Sequence, residues 1–395
     1  MRILALVVTA LLLSGCGLGG LFGNGHSNLA PPAKLTHFKA RLAVHTVWSH
    51  DTGNGTGGYD LDLQPALADG VVYVASEGGR VAAYAAVTGH QLWSHHLAHR
   101  ITGGVGVGQG LVVVGTRRGR VIALTQAHGA VVWQAQAPSQ VWAPPTVAPD
   151  AVYVATLDGR VSAFGLRHGR RLWEASHVQP PLQLYRSARP VEKGGVLYEG
   201  YANGEVVALR PEDGQRLWTG LIAPPRGGDE IARLVDVGTP IVSGNLVYAD
   251  SYHGNVTAMS VHSGRILWSH PLSSDRDMAL GASTLYVVAS DSRVVALSNA
   301  TGGTVWGQKV LLHRRLGAPA LVGPAVVAGD YAGYVQWLSR RTGKLMARYE
   351  ASDEAIRAAP LVAPVAGRLP YVIVLSTGGK LTALRFKPRG QQGGD

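Results

Sequence analysis

At 395 residues the chain is longer than one ordinary domain requires, unless it is a repeat or a large closed β fold. With 46% hydrophobic and 15% charged residues it has the apolar material for a core, while 52 Gly and 21 Pro point to many tight turns rather than long helices. A single cysteine excludes a disulfide framework and any multi-cysteine metal site, and the net charge of +11 comes mainly from arginine spread along the whole length, without the clustered stripe of a nucleic-acid surface.

In chain order, the first feature is an address. Arg2 precedes an apolar run from Ile3 to Leu13, too short to span ~30 Å of hydrocarbon and suited to a signal-peptide core. Leu13-Ser14-Gly15-Cys16 then resembles a bacterial lipobox. That resemblance implies a lipoprotein signal peptide over residues 1–15, cleavage before Cys16 and acylation of that cysteine, and hence stable anchoring on a membrane. Gly17 stands where an inner-membrane retention Asp would stand, so the outer membrane, periplasmic face, is the expected destination. Residues 16–36 carry Gly, Asn and Pro and read as a lipidated, flexible tether.

The body, residues 37–386, is a repeat. Small turn residues recur at Gly79, Gly119, Gly159, Gly204, Gly254, Ser292, Gly333 and Gly379, each followed two places later by Val or Leu. A second glycine stands ten places after the first seven, from Gly89 to Gly343. Fourteen places after the first six stand Trp93, Trp133, Trp173, Trp218, Trp268 and Trp306. Between these marks lie short β-rich runs such as Val71-Val-Tyr-Val74, and a Pro-led strand precedes several hairpins. Four antiparallel strands every ~40–45 residues describe a propeller blade, so the expected fold is an all-β, eight-bladed β-propeller. The last repeat lacks an outer strand, and Ala40 to Trp48 is an unpaired strand ending in the repeat tryptophan. Trp48 is therefore expected to close the ring, leaving a monomeric wheel with residues 387–395 as a disordered tail. At the seventh repeat the tryptophan place holds Ala347, and that blade is expected to pack less firmly.

Two classes of function compete on such a ring. Indoles at a regular position could stack a quinone, yet seven at one repeat position cannot all face one cofactor, and inter-blade packing is the simpler role. A quinone-dependent dehydrogenase also needs a calcium-holding carboxylate and amide, and no acidic cluster in the sequence offers one. Asp69, Asp158 and Asp291 sit at turns, and His95, His96 and His99 lie at a strand end where neighbours point to opposite faces. No cofactor, metal or catalytic residue is expected. Binding is better supported. From the repeat Trp to the next turn glycine takes 26 residues at Trp133, but 31 at Trp173 and 36 at Trp218. The surplus lies in two consecutive inter-blade connections, which must emerge on one face. They contain Leu182-Gln-Leu184-Tyr185-Arg186 and Asp229 to Gly238, including Arg233 and Asp236: apolar anchors beside a polar rim. A third reading, contact with peptidoglycan or lipopolysaccharide through the arginine excess, would show as salt-sensitive binding.

Several stretches together resemble the BamB family of outer-membrane β-barrel assembly lipoproteins: Trp48 with Gly53-Asn-Gly55, Pro65 to Asp69, Pro180 to Pro190, Glu230 to Asp236 and Leu311 to Arg314. That resemblance implies a non-enzymatic scaffold of the BAM complex that binds a periplasmic POTRA domain of BamA and aids insertion of outer-membrane proteins. It carries the partner contact onto Leu182, Leu184 and Asp236. Two positions depart: Tyr185, followed by Arg186, stands at the family's Arg place, and Gly238 at its second Asp place.

Overall fold

The computed structural model describes residues 30–61, 63–184, 188–223 and 234–389. Their regular elements are all β-strands, arranged as eight four-stranded antiparallel sheets in simple up-and-down order. Blade one consists of Ala66–Ala68, Val71–Ala75, Arg80–Ala85 and Gln91–His96, from the channel outward. The next six follow the same plan, from Ile101–Gly108 in blade two to Leu345–Glu350 at the rim of blade seven. Blade eight takes three strands from the C-terminal end, Leu361–Val365, Arg368–Leu375 and Lys380–Pro388, and its outermost strand, Leu42–Asp51, from the N-terminal end. That last strand pairs from Leu42↔Pro388 to Asp51↔Lys380, so the ring closes by hydrogen bonds between the chain's two ends. The expected eight-bladed propeller, closed by an N-terminal strand, is the observed one. Its last strand runs to Pro388, and the Arg389 amide donates to the Arg41 carbonyl, so the ordered ring extends beyond the expected boundary at 386. No described helix is long and apolar enough to cross a membrane.

The core is divided among the gaps between blades. Each gap holds its own apolar cluster, such as Tyr73, Val81 and Trp93 of blade one against Val112, Ile122 and Leu124 of blade two. The second and third strands of a blade are buried on both faces, which is why they read as continuous apolar runs. The outer strand is buried only where its tryptophan points inward, as in the Gln91–His96 strand.

That tryptophan follows one rule. It lies opposite an alanine of the third strand: Ala83↔Trp93, Ala123↔Trp133, Ala163↔Trp173, Ala208↔Trp218, Ala258↔Trp268, Ala296↔Trp306 and Ala383↔Trp48. The pairing slips by one residue beside each such pair, a bulge that re-aims the indole toward the next blade. There the indole covers that blade's outer turn glycine, and a methyl group on Gly129 would overlap the Trp93 ring. Gly129 also needs a φ of +67°, so both backbone and space demand glycine.

Blade seven departs from the rule without the expected looseness. Its pair is inverted, Trp337↔Ala347, with both residues buried, and the Trp337 ring lies 4.8 Å from that of Phe386 in blade eight. The reason is the closure. Blade eight has no turn between its third and outer strands, hence no turn glycine for an outer-strand indole to cover. The indole moves one strand inward instead and fills the gap against Phe386.

Residues 30–36, the end of the segment read as a flexible tether, lie on blade seven. The Ala33 amide donates to the Leu312 carbonyl at 2.9 Å, Arg314 Nη1 donates to the Ala33 carbonyl and Arg348 Nη1 to the Thr36 carbonyl. Arg314 is itself buried in an ion pair with Asp330 at 2.7 Å. Cys16 and the residues up to 29 lie outside the described residues.

Candidate functional site

The outer-strand tryptophans are fixed by chemistry as well as by shape. Each of the seven donates its indole N–H to a backbone carbonyl of the next blade at 2.7–3.1 Å: Trp48 to Ala86, Trp93 to Gln126, Trp133 to Leu166, Trp173 to Pro211, Trp218 to Val261, Trp268 to Asn299 and Trp306 to Arg340. An indole packed under a glycine turn with its donor satisfied is a wedge, and it presents no face to a cofactor. Trp337, by contrast, is fully buried and its Nε1 has no hydrogen-bond partner among the described residues.

The two long connections meet on the face formed by the outer-to-inner crossings and the turns between second and third strands. The Leu184 amide donates to Asp236 Oδ1 at 2.9 Å, joining the connection between blades three and four to that between blades four and five. The first connection is held at several further points. Gln183 Nε2 donates to the Leu157 carbonyl at 2.8 Å, the Ala202 amide to Gln179 Oε1, and the Arg189 amide to Thr239 Oγ1. At its start, His177 Nε2 lies 2.5 Å from Glu205 Oε2 and its ring packs on Tyr201. The second connection is also held through its backbone: the Tyr252 amide donates to the Asp236 carbonyl and the Val237 amide to the Tyr201 carbonyl. Of the residues expected to bind a partner, Leu182, Leu184 and Asp236 are therefore brought together, with Leu182 exposed. Tyr185, Arg186 and Arg233 lie outside the described residues. Val178, in the same connection, is 84% exposed and was not singled out from the sequence.

Beneath these connections the junction is polar where its counterparts are apolar. Glu199 and Asp236 line one narrow crevice with Thr156, Gln179 and Tyr201. Burial raises the Glu199 carboxyl well above the usual range, and its Oε2 has no partner among the described residues. Burial also raises Asp236, to about 7, against the lowering effect of backbone hydrogen bonds from Leu184 and from its own amide. A neighbouring cleft is lined by Leu184, Asp236, Thr239, Asp275 and Asp277. Gly238 lies against Asp250, where an added Cβ would stand 2.6 Å from Oδ1. A second aspartate at position 238 would push into that carboxylate, which accounts for the glycine here. The signal for this polar floor lay in the repeat. Five places before the turn glycine the other blades carry Val or Ala and blade four carries Glu199; four places before it blade five carries Asp250, where the others have Ala, Gly, Val or Leu.

The central channel offers a different surface. The innermost strands of blades one to four and eight, with the residues that lead into them, enclose a space of about 360 Å³ lined by Gln64, Leu67, Val107, Thr146, Arg189 and Glu192 among others. One carboxylate on a lining that also carries the Arg189 guanidinium does not fit a calcium-bound quinone, which needs several oxygen ligands together. Among the described residues no group of three or more His, Cys, Asp or Glu could hold a metal ion.

Comparison with known proteins agrees on one relationship. The family profile described as outer membrane protein assembly factor BamB matches residues 45–101, 77–308 and 283–389. The chain is 40% identical to the outer membrane protein assembly factor BamB of Pseudomonas aeruginosa, over 97% of this chain and 98% of that one. The crystal structure of BamB from Moraxella catarrhalis superposes with a TM-score of 0.77 at 27% identity, covering 87% of this chain and all of the other. The quinohemoprotein alcohol dehydrogenase of Comamonas testosteroni has a TM-score of 0.70 at 15% identity, over 89% of this chain and 78% of that one, and shares the fold alone.

Proposed function

The chain belongs to the BamB family of outer membrane protein assembly factors, and from that premise we propose that it is a non-enzymatic scaffold that binds a periplasmic POTRA domain of BamA through the joined connections. The observation that carries this reading is the hydrogen bond from Leu184 to Asp236. It holds two surplus loops together as one raised surface, with Leu182 and Val178 presented to solvent and acidic groups behind them. An apolar anchor with a polar rim is what a protein interface requires. Buried carboxylates beneath it depart from the local rule of the repeat, and such departures concentrate at functional sites. Residues 1–15 then act as the signal peptide, and Cys16 carries the lipid that keeps the ring on the periplasmic face of the outer membrane. By holding the POTRA domain the scaffold assists insertion of outer-membrane proteins.

The test is Leu184→Arg. Its side chain lines the cleft, so the variant is expected to lose co-purification with the BamA periplasmic region while melting like the wild type. Undiminished capture would refute this surface.

A further inference from the structure

The face that carries the two connections also carries a strongly basic hollow. Between blades one and two it encloses about 560 Å³, lined by His99, Arg100, Arg117, Arg118 and Gln140 among others. Arg100 is tied to Glu77 at 2.8 Å yet stays 65% exposed. Arg117 and Arg118 are consecutive in the turn between the second and third strands of blade two. Both are exposed, and neither has an ion-pair partner among the described residues. Other blades treat this turn differently. At the place of Arg118, blade three has Asp158 and blade six has Asp291, each beside its own Arg160 or Arg293 at 3.6 and 2.6 Å. Two adjacent guanidinium groups repel one another, and a concave wall concentrates their field on whatever enters. Their planar forks match the two oxygens of a carboxylate.

The hollow continues into the partner surface. The Gln140 carbonyl on its wall accepts from the Leu157 amide at 3.0 Å, and the Leu157 carbonyl accepts from Gln183 at 2.8 Å, next to Leu184. A polypeptide seated on Leu182 and Leu184 that extends over Leu157 arrives above Arg117 and Arg118. The N-terminal segment, by contrast, leaves the ring on blade seven, three junctions away from blade two.

We propose that this hollow is a second docking site for the same partner and takes an acidic polypeptide segment, whose carboxylates lie on Arg117 and Arg118. The proposal rests on the reading of the two connections as the partner surface. The partner it fits presents an acidic stretch beside the apolar patch that covers Leu184.

The full chain carrying Arg117→Glu with Arg118→Glu tests it, beside wild type, Leu184→Arg and the conservative pair Arg117→Lys with Arg118→Lys. Affinity for the BamA periplasmic region is measured from low to high NaCl, and sedimentation with phosphatidylglycerol vesicles is measured in parallel. The charge reversal is expected to weaken partner binding about tenfold at low salt and to flatten its salt dependence, with the lysine pair retaining most of both. If Leu184→Arg abolishes binding while the charge reversal changes neither affinity nor salt dependence, the basic site is refuted and the loop surface stands. If the reversal removes vesicle binding alone, a lipid surface is the ligand and the proposal is refuted. If Leu184→Arg and the reversal are both silent, the loop surface and the basic site fall together.

Discussion

The junction between blades two and three and the junction between blades four and five grow from the same strand pattern. In the first, Trp133 covers Gly169, donates to the Leu166 carbonyl and shares its gap with Val113, Val152, Val154 and Phe164. In the second, Trp218 covers Gly264 and donates to the Val261 carbonyl in the same way. Toward the loop-bearing face the two diverge. Among the described residues the first buries no carboxylate, while the connection over the second brings in the buried Asp236, with buried Glu199 on the blade-three side of blade four and buried Asp250 on the blade-six side of blade five. The lower half of each gap is thus enough to set the angle between blades, and the upper half is free to carry a surface. On the proposed function, stability and recognition occupy different levels of one junction.

The largest expected effect is on the lower level. Trp133→Ala removes a buried indole that nothing else replaces, and is expected to cost ~3–5 kcal/mol in denaturant unfolding; a loss below ~1 kcal/mol would show that the wedges are ornamental. On the upper level of the other junction, Leu184→Arg is expected to cost ~2 kcal/mol or more in partner binding, about thirtyfold, and to leave stability within ~0.5 kcal/mol. A variant that unfolds as well as failing to bind would erase the separation.

Blade seven sharpens the comparison from a third direction. Ala347→Trp restores the common outer-strand residue, but blade eight has no turn glycine to receive it and Trp337 already fills the gap. Overpacking is expected to cost ~1–3 kcal/mol. A stabilised variant would mean the inversion is incidental rather than forced by closure.

The last effect is a pH dependence. The Asp236 carboxyl is raised to about 7 by burial, whereas an unfolded aspartate titrates near ~3.9. Between those values the folded chain holds a proton that the unfolded chain releases, so stability present at low pH is lost as pH rises toward 7. Glu199, shifted in the same direction, adds to that loss. Asp236→Asn is expected to flatten the decline in denaturation midpoint between pH 5 and pH 8. An unchanged slope would place the proton elsewhere.

The wheel was legible in the sequence because its rules are local. A turn glycine, a second glycine ten places on and a tryptophan four further on fall within one hairpin unit, and the partial repeat at each end forces closure. The inverted pair was not legible while only the tryptophan column was followed; the alanine opposite it is a cross-strand partner, and Trp337 becomes readable once both columns are aligned. Leu182, Leu184 and Asp236 were legible as surplus length and composition. Their joining was not, since the Leu184–Asp236 bond spans two connections and one whole blade. Glu199 and Asp250 were hidden for a third reason: each interrupts an apolar strand by one residue, a signal visible only against the other blades.

Photo-crosslinking in cells from a probe at position 182 or 185, with position 305 on the exposed rim of blade six as control, tests the central claim most directly. BamA captured from 182 and 185 but not from 305 is the predicted result. BamA captured from 305 and absent at 182 and 185 would contradict it.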